Sequence, residues 1–282
     1  MKVSLEKLKN IKLIVFDLDG TLLNDSGAIQ PEIINKIRAL NTLGVKVTIA
    51  TGRIHGEAEE FAEQLNLNSP LVSSNGATVI EYPSGKEILI NEISVDLLER
   101  IIKLIKRYNA TAAFITPEKI LSTGEFKWFL PILKCSSEKF LYIKNFNNLK
   151  GKIIEIIVLT ENLQNTKDFL EQFKFPSVIG LKFKYFRSAE DKNKFYIRIR
   201  KTGYSKALAV KELAEYLNIK VNEIAAVGGG FNDRSLFAAG FFKVAVANAL
   251  PELKEAADYI TERTNNEGAA QEFLDLVIKS RF

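Results

Sequence analysis

Two aspartates, Asp17 and Asp19, stand one residue apart directly behind the apolar run Leu13 to Phe16. A short continuous run with β-branched residues predicts a buried strand. Carboxylates at the end of such a strand lose hydration and repel each other, and a cation between them relieves both penalties. Gly20 permits a sharp turn and Thr21 adds a hydroxyl. Ordinary turn chemistry does not ask for DxDGT behind so apolar a stretch.

Five further stretches carry residue types suited to an anionic ligand. Ala50-Thr-Gly-Arg53 follows the apolar run Val45 to Ala50 and offers the Thr51 hydroxyl, a small Gly52 and the Arg53 cation. Arg53 either contacts the ligand or caps the helix that follows. Lys206 opens a helix predicted over Ala207 to Leu217. A lysine is badly placed at a helix N-terminus by dipole logic. It is well placed if a phosphate or the Asp17 carboxylate needs neutralising. Gly228-Gly-Gly-Phe-Asn-Asp233 follows the apolar run Glu223 to Val227. Asn75, in Leu71-Val-Ser-Ser-Asn-Gly76, and Asn248, in Val244-Ala-Val-Ala-Asn-Ala249, each follow a strand-like segment.

The elements between these stretches explain how they could meet. Pro31 to Leu43 has Ile33, Ile34, Ile37, Leu40 and Leu43 at helical spacing, with proline at its start and Gly44 at its stop. Strand, helix, strand predicts a parallel sheet with a right-handed crossover. Both strand ends then share one edge, where α/β ligand sites lie, so Thr51 comes near Asp17 by topology. Thr78 to Ile90, turning at Pro83-Ser84-Gly85, predicts a hairpin. From about 94 to 194 the pattern changes. Two helix candidates, Val95 to Tyr108 and Leu163 to Phe173, lie among strands such as Thr111 to Ile115, Ile153 to Leu159 and the alternating Gly180 to Phe186. About 100 residues suffice for a separate small core. Phe195 to Arg200 is expected to lead back to the first core, and helices at Arg234 to Ala239, Pro251 to Ala257 and Glu267 to Lys279 to close the chain. The expected division is 1–88, 89–194 and 195–282.

Taken together and in this order, the motifs resemble the haloacid dehalogenase (HAD) superfamily, in its Cof-type (class IIB) branch of phosphatases. Asp17-Leu-Asp-Gly-Thr-Leu22 resembles motif I, Ala50-Thr-Gly-Arg53 motif II, Lys206 the motif III lysine, and Gly228 to Asp233 motif IV, usually GDGxND. The resemblance implies a Rossmann-like parallel-sheet core with an inserted α/β cap domain. It implies Asp17 as the nucleophile that becomes an aspartyl-phosphate, Asp19 as general acid/base, and Lys206 as the third catalytic residue. Thr51, Gly52, Arg53, Asn75, Asn232 and Asn248 would bind phosphate or substrate. Mg²⁺ would be held by Asp17, Asp19 and Asp233. A carboxylate is a competent covalent catalyst for phosphoryl transfer, and it needs the cation to shield its charge from the phosphate. Two departures stand out. Ala207 replaces a common glycine after the lysine, and Gly229 occupies the position of the family's Mg²⁺-binding aspartate. Two functions follow: a Mg²⁺-dependent phosphatase of small phosphorylated metabolites, sugar phosphates first, with weakened metal affinity; or a degenerate member that binds a phosphorylated ligand without useful turnover.

Composition narrows the alternatives. The 282 residues are 46% hydrophobic, which suits a globular chain with a real core. A net charge of +5, without a basic tail, does not argue for nucleic acid. One cysteine, Cys135, and one histidine, His55, exclude a disulfide framework and His-cluster metal sites within the chain. Cys135 is expected as a small buried hydrophobe, and His55 as a solvated side chain or a contact near the site mouth. Lys119 to Phe146, aromatic and basic, is read as core plus a solvated face, or as a substrate-facing or dimer surface. Gly228-Gly-Gly230 lacks the GxGxxG spacing of a dinucleotide loop. Met1 to Asn10 lacks a long apolar core, and no stretch is long enough to span a bilayer. The expectation is a cytoplasmic protein, monomeric or homodimeric, acting on a small phosphorylated metabolite, with no membrane partner.

Overall fold

The computed structural model describes residues 5–133, 136–173 and 180–282. Cys135 lies outside them. By its internal contacts the chain divides into two compact units, Met1–Leu89 with Ser205–Phe282, and Ile90–Tyr204. Strands are numbered in chain order: β1 (Leu13–Phe16), β2 (Lys46–Ile49), β3 (Leu71–Ser73), β4 (Thr78–Ile80), β5 (Glu87–Ile90), β6 (Thr111–Ile115), β7 (Ile120–Ser122), β8 (Phe140–Tyr142), β9 (Glu155–Thr160), β10 (Leu181–Arg187), β11 (Phe195–Lys201), β12 (Ile224–Gly228), β13 (Phe242–Ala245) and β14 (Tyr259–Ile260).

In the first unit, the described residues form a parallel sheet ordered β14-β13-β12-β1-β2. β1 is central, and its four residues Leu-Ile-Val-Phe are all buried. Helices cover both faces of a parallel sheet, so its inner strands read as unbroken apolar runs. A parallel bridge from Ala50 to Val72 brings β3 alongside the end of β2. β3, β4 and β5 form a separate three-stranded sheet. The helix Pro31–Thr42 buries Ile33, Ile37 and Leu40, one face of a 3.6-residue repeat. It stops where Gly44 takes φ +77°, a conformation that costs a glycine little. Together with Phe273, Leu274 and Val277 of the helix Ala269–Lys279, these residues share one core with β1, β2 and β12.

The second unit is built on a sheet ordered β10-β11-β9-β6-β7-β8. Its pairs are antiparallel except β7 with β8. Ile101 and Ile105 of the helix Val95–Arg107, and Phe169 of the helix Leu163–Glu171, pack on Phe114, Ile156, Val158, Ile197 and Ile199. In the aromatic stretch, Phe129 is fully buried, Trp128 stacks under Lys194 at 3.8 Å, and Tyr142 is exposed.

One boundary differs from expectation. Residues 195–200 do not lead into the first core, because β11 pairs on both sides within the second sheet, with β9 and with β10. The reason lies in its alternation. Phe195, Ile197 and Ile199 are buried on one face, while the other carries the half-buried Arg198 and Arg200 beside a buried Tyr196. A strand with one packed face suits an antiparallel sheet, whereas the doubly covered core demands a continuous run such as β1. The chain re-enters the first unit at Ser205. Among the described residues, no helix is long and apolar enough to cross a membrane.

Candidate active site

The site residues of the first unit gather at the carboxyl edge of the parallel sheet. Asp17 follows β1 directly, and its N–H donates to Val227 O of β12 at 2.9 Å. On the other side, Ala50 N–H donates to Phe16 O at 2.8 Å. Three strand ends therefore present Asp17, the Thr51 turn and the Gly228 loop side by side. The strand order reverses between β12 and β1, which is where doubly wound sheets open a ligand crevice.

Lys206 ties two of these stretches together. Its Nζ donates to Asp17 Oδ1 at 2.6 Å and to Asp233 Oδ1 at 2.8 Å. Lys206, Asp17 and Asp233 are 1%, 2% and 0% exposed. Burial pushes the Asp17 carboxyl up from 3.8 to about 7; Lys206 opposes the rise, and the charges of Asp233 and Asp19 add to it. Burial works against the Lys206 charge as well, but the two carboxylates outweigh it and hold the ammonium above its ordinary range.

The placement of Lys206 depends on a glycine that sequence reasoning passed over. Gly76 has φ +91°, and a Cβ there would lie 2.3 Å from Ser205 O. The absent side chain lets the start of the helix Lys206–Tyr216 sit against the Ser74–Gly76 turn. Ser205 caps that helix, its Oγ accepting from Leu208 N–H at 3.3 Å. Gly76 was visible in the quoted Ser-Asn-Gly stretch, but its partner is 129 positions away and no local pattern announces it.

Asp233 was expected among metal ligands. Its geometry is that of an anchor for Lys206. Oδ1 accepts from Lys206, and Oδ2 accepts from the N–H groups of Gly229 at 3.0 Å and Gly230 at 2.9 Å. A Cβ at Gly228 would lie 2.7 Å from Asp233 Cγ, so the glycine loop closes tightly on this carboxylate.

Asp19 is 59% exposed and makes a two-pronged pair with Arg53, whose Nε and Nη2 donate at 3.1 and 2.7 Å. Arg53 also lies over the Phe61 ring at 5.0 Å. Its backbone N–H donates to Thr51 Oγ1 at 3.1 Å, so Thr51 shapes the turn as well as facing the strand edge. Gly52 meets Asn75 and Asn232: a Cβ there would lie 3.2 Å from Asn75 Oδ1 and 3.6 Å from Asn232 Nδ2. Asn75 sits at φ 58°, its N–H donating to Thr51 O at 2.9 Å. Asn248 was expected to bind substrate. Its amide bridges two backbones, Nδ2 donating to Gly20 O and Oδ1 accepting from Asn265 N–H, both at 2.9 Å. Asn265 in turn donates to Leu23 O at 3.0 Å and so braces the DxDGT turn from behind. No motif pointed to Asn265. His55, expected as a solvated side chain or a contact near the site mouth, is not solvated: it is 1% exposed with Nε2 3.3 Å from Glu59 Oε1, because residues 55–58 at the start of the helix His55–Gln64 are all buried.

The side-chain oxygens gathered here, that of Asp17 first, are hard donors of the kind Mg²⁺ takes. Among the described residues, no group of three or more His, Cys, Asp or Glu is arranged to hold a metal. Mg²⁺ commonly takes one or two protein carboxylates and fills its shell with phosphate oxygens and water, so the residues present fit it with a reduced donor set.

Fold and side chains together define an α/β protein whose candidate site lies at the edge of a doubly wound sheet. The chain belongs to the haloacid dehalogenase-like hydrolases, whose family model matches residues 14–273. It is 30% identical over 298 aligned positions to phosphatase YwpJ of Bacillus subtilis, covering 92% of this chain and 98% of the relative. A second Bacillus subtilis relative, 5-amino-6-(5-phospho-D-ribitylamino)uracil phosphatase YcsE, is 26% identical, with 93% and 94% covered. The crystal structure of TM0651 from Thermotoga maritima superposes with a TM-score of 0.77 at 28% identity, over 94% of this chain and 97% of that one.

Proposed function

We propose that the protein is a phosphatase of small phosphorylated metabolites, with Asp17 as the nucleophile. The observation that carries this is the Lys206 contact. Nζ at 2.6 Å fixes Asp17 Oδ1 and leaves Oδ2, 3.5 Å from Thr21 Oγ1, to attack phosphorus. The family and its phosphatase-named relatives make a phosphoric monoester hydrolase the fitting activity. Attack forms an Asp17 oxygen–phosphorus bond and breaks the bond from phosphorus to the leaving oxygen. Asp19, protonated and released from Arg53, gives its proton to that oxygen. It then takes a proton from the water that hydrolyses the aspartyl-phosphate. Thr51, Gly52 N–H and Lys206 hold the phosphoryl oxygens, and Asn75 and Asn232 shape the pocket beside Gly52. Mg²⁺, held by Asp17 and the Asp19 main-chain oxygen, would neutralise charge between the carboxylate and the phosphoryl group. The inserted second unit is the substrate-selecting cap in this reading. Sugar phosphates and similar polyol phosphates are the substrate class, in keeping with the phosphoribityl compound in the name of one relative.

A second reading, ligand binding without turnover, is favoured by one observation: position 229 carries no carboxylate. A panel of phosphorylated metabolites assayed for phosphate release, with and without Mg²⁺, separates the two. Hydrolysis that requires Mg²⁺ and vanishes in Asp17→Asn is the expected result. Retained ligand binding with no release at high Mg²⁺ would establish the second reading instead.

A further inference from the structure

Gly229 is a matter of space, not of conformation. It is absent from the glycines with left-handed φ, so its backbone accepts any L residue. A Cβ built there would lie 2.7 Å from Val246 Cγ2 and 3.2 Å from the Cα and Cβ of Ala249. The two segments cannot easily separate. Val246 N–H donates to Gly228 O at 3.2 Å, Leu250 N–H to Gly229 O at 3.1 Å, and Ala249 N–H closes the turn on Val246 O at 2.8 Å. Val246 is fully buried, and its β-branched side chain has little rotamer freedom to withdraw. Meanwhile the loop's two amides hold Asp233 through Oδ2.

We infer that Val246 and Gly229 form one packing unit that keeps a carboxylate out of the cation side of the site. The valine methyl occupies the volume that the first side-chain carbon of an aspartate would need. Restoring the acid alone therefore strains the loop, and restoring a cation ligand takes two substitutions. The inference rests on reading Asp17 and the Asp19 main chain as cation ligands. It does not depend on turnover.

The test uses wild type, Gly229→Ala, Gly229→Asp, Val246→Ala and the Gly229→Asp/Val246→Ala double variant of the full chain. Each is unfolded in urea with chelator present, and each is titrated with Mn²⁺ by electron paramagnetic resonance. Gly229→Ala and Gly229→Asp should both lower the urea midpoint. The double variant should lose less than the sum of its two single variants, the signature of direct contact. Mn²⁺ should bind the double variant at least tenfold tighter than wild type and tighter than Gly229→Asp, and adding Asp17→Asn should remove that gain. If Gly229→Asp alone is as stable as wild type and binds Mn²⁺ as tightly as the double variant, Val246 bars nothing and the inference is overturned. If stabilities couple but the double variant gains no affinity, the carboxylate does not face a cation, and the inference is overturned on its ligand side. An inactive wild type would count against the phosphatase reading alone, since neither readout is activity.

Discussion

Lys206→Met removes the one cation that two buried carboxylates share. Methionine keeps most of the stem's bulk and supplies no donor. Asp17 loses its 2.6 Å partner, and Asp233 keeps two backbone N–H groups but loses its counter-charge. Removing one partner of a buried ion pair costs about 3–5 kcal/mol, against about 5–15 kcal/mol for a whole domain. The loss must depend on pH. Asp17 is already pushed up to about 7 with Lys206 in place, and without the ammonium it goes higher. Near pH 6 it folds protonated and much of the penalty disappears. As pH rises past 8 the proton must leave a buried group, and the full cost returns. The assay is urea unfolding in chelator, followed by far-UV circular dichroism at pH 6 and 8.5. The single tryptophan, Trp128, lies in the second unit, so its fluorescence follows that unit and serves as an internal control. A loss under about 1 kcal/mol at pH 8.5, the level of an exposed ion pair, would refute the argument. So would an equal loss at both pH values.

Two other outcomes follow from the same geometry. Gly76→Ala combines a left-handed φ with a Cβ 2.3 Å from Ser205 O. The backbone alone costs on the order of 1–3 kcal/mol, and the displaced helix start should also weaken the Lys206 contact. A urea midpoint and a phosphatase rate both unchanged from wild type would show that the close approach is unimportant. Asp17→Asn tests the raised carboxyl pKa directly. The folded state favours protonated Asp17, so its stabilising effect is present below pH 4 and is lost as pH rises through about 7. Metal-free wild type should therefore lose stability relative to Asp17→Asn between pH 4 and pH 7. A constant difference over that interval would contradict the shift.

How much was legible depends on whether a residue's partners are local. β1 and the turn behind it could be read outright, because an unbroken apolar run ending in DxDGT has few other meanings. The helix Pro31–Thr42 was equally plain from its period and its proline. Lys206 looked out of place at a helix start, and that misfit with the dipole was itself the clue. What could not be read were contacts set by distant segments. Gly76 against Ser205, Asn265 behind Leu23, and both oxygens of Asp233 are examples. Nothing in the sequence near Asn248 says whether its amide points to a ligand or braces Gly20. The pairing of β11 with β9 is likewise set by a segment distant in sequence, so the boundary at Ser205 has no local mark.

The charges at the sheet edge explain why these pieces belong together. Asp17, Asp233 and Lys206, all ionised, leave one negative charge unbalanced among residues at most 2% exposed. Such a charge is costly to keep, so a proton on Asp17 or an arriving positive charge must answer it. Arg53 gives both of its guanidinium hydrogen bonds to Asp19 and reaches Asp17 only through its charge at longer range. The carboxylate that must be ionised to attack in the proposed reaction is thus one whose proton the fold holds more tightly than solvent would. In the function proposed, the positive charge arrives with the cation, and Gly229 adds no carboxylate to compete for it. Reactivity is then tied to occupancy. With its carboxyl pushed up to about 7, Asp17 is partly protonated near neutral pH, and a bound cation would favour the anion that the proposed reaction needs.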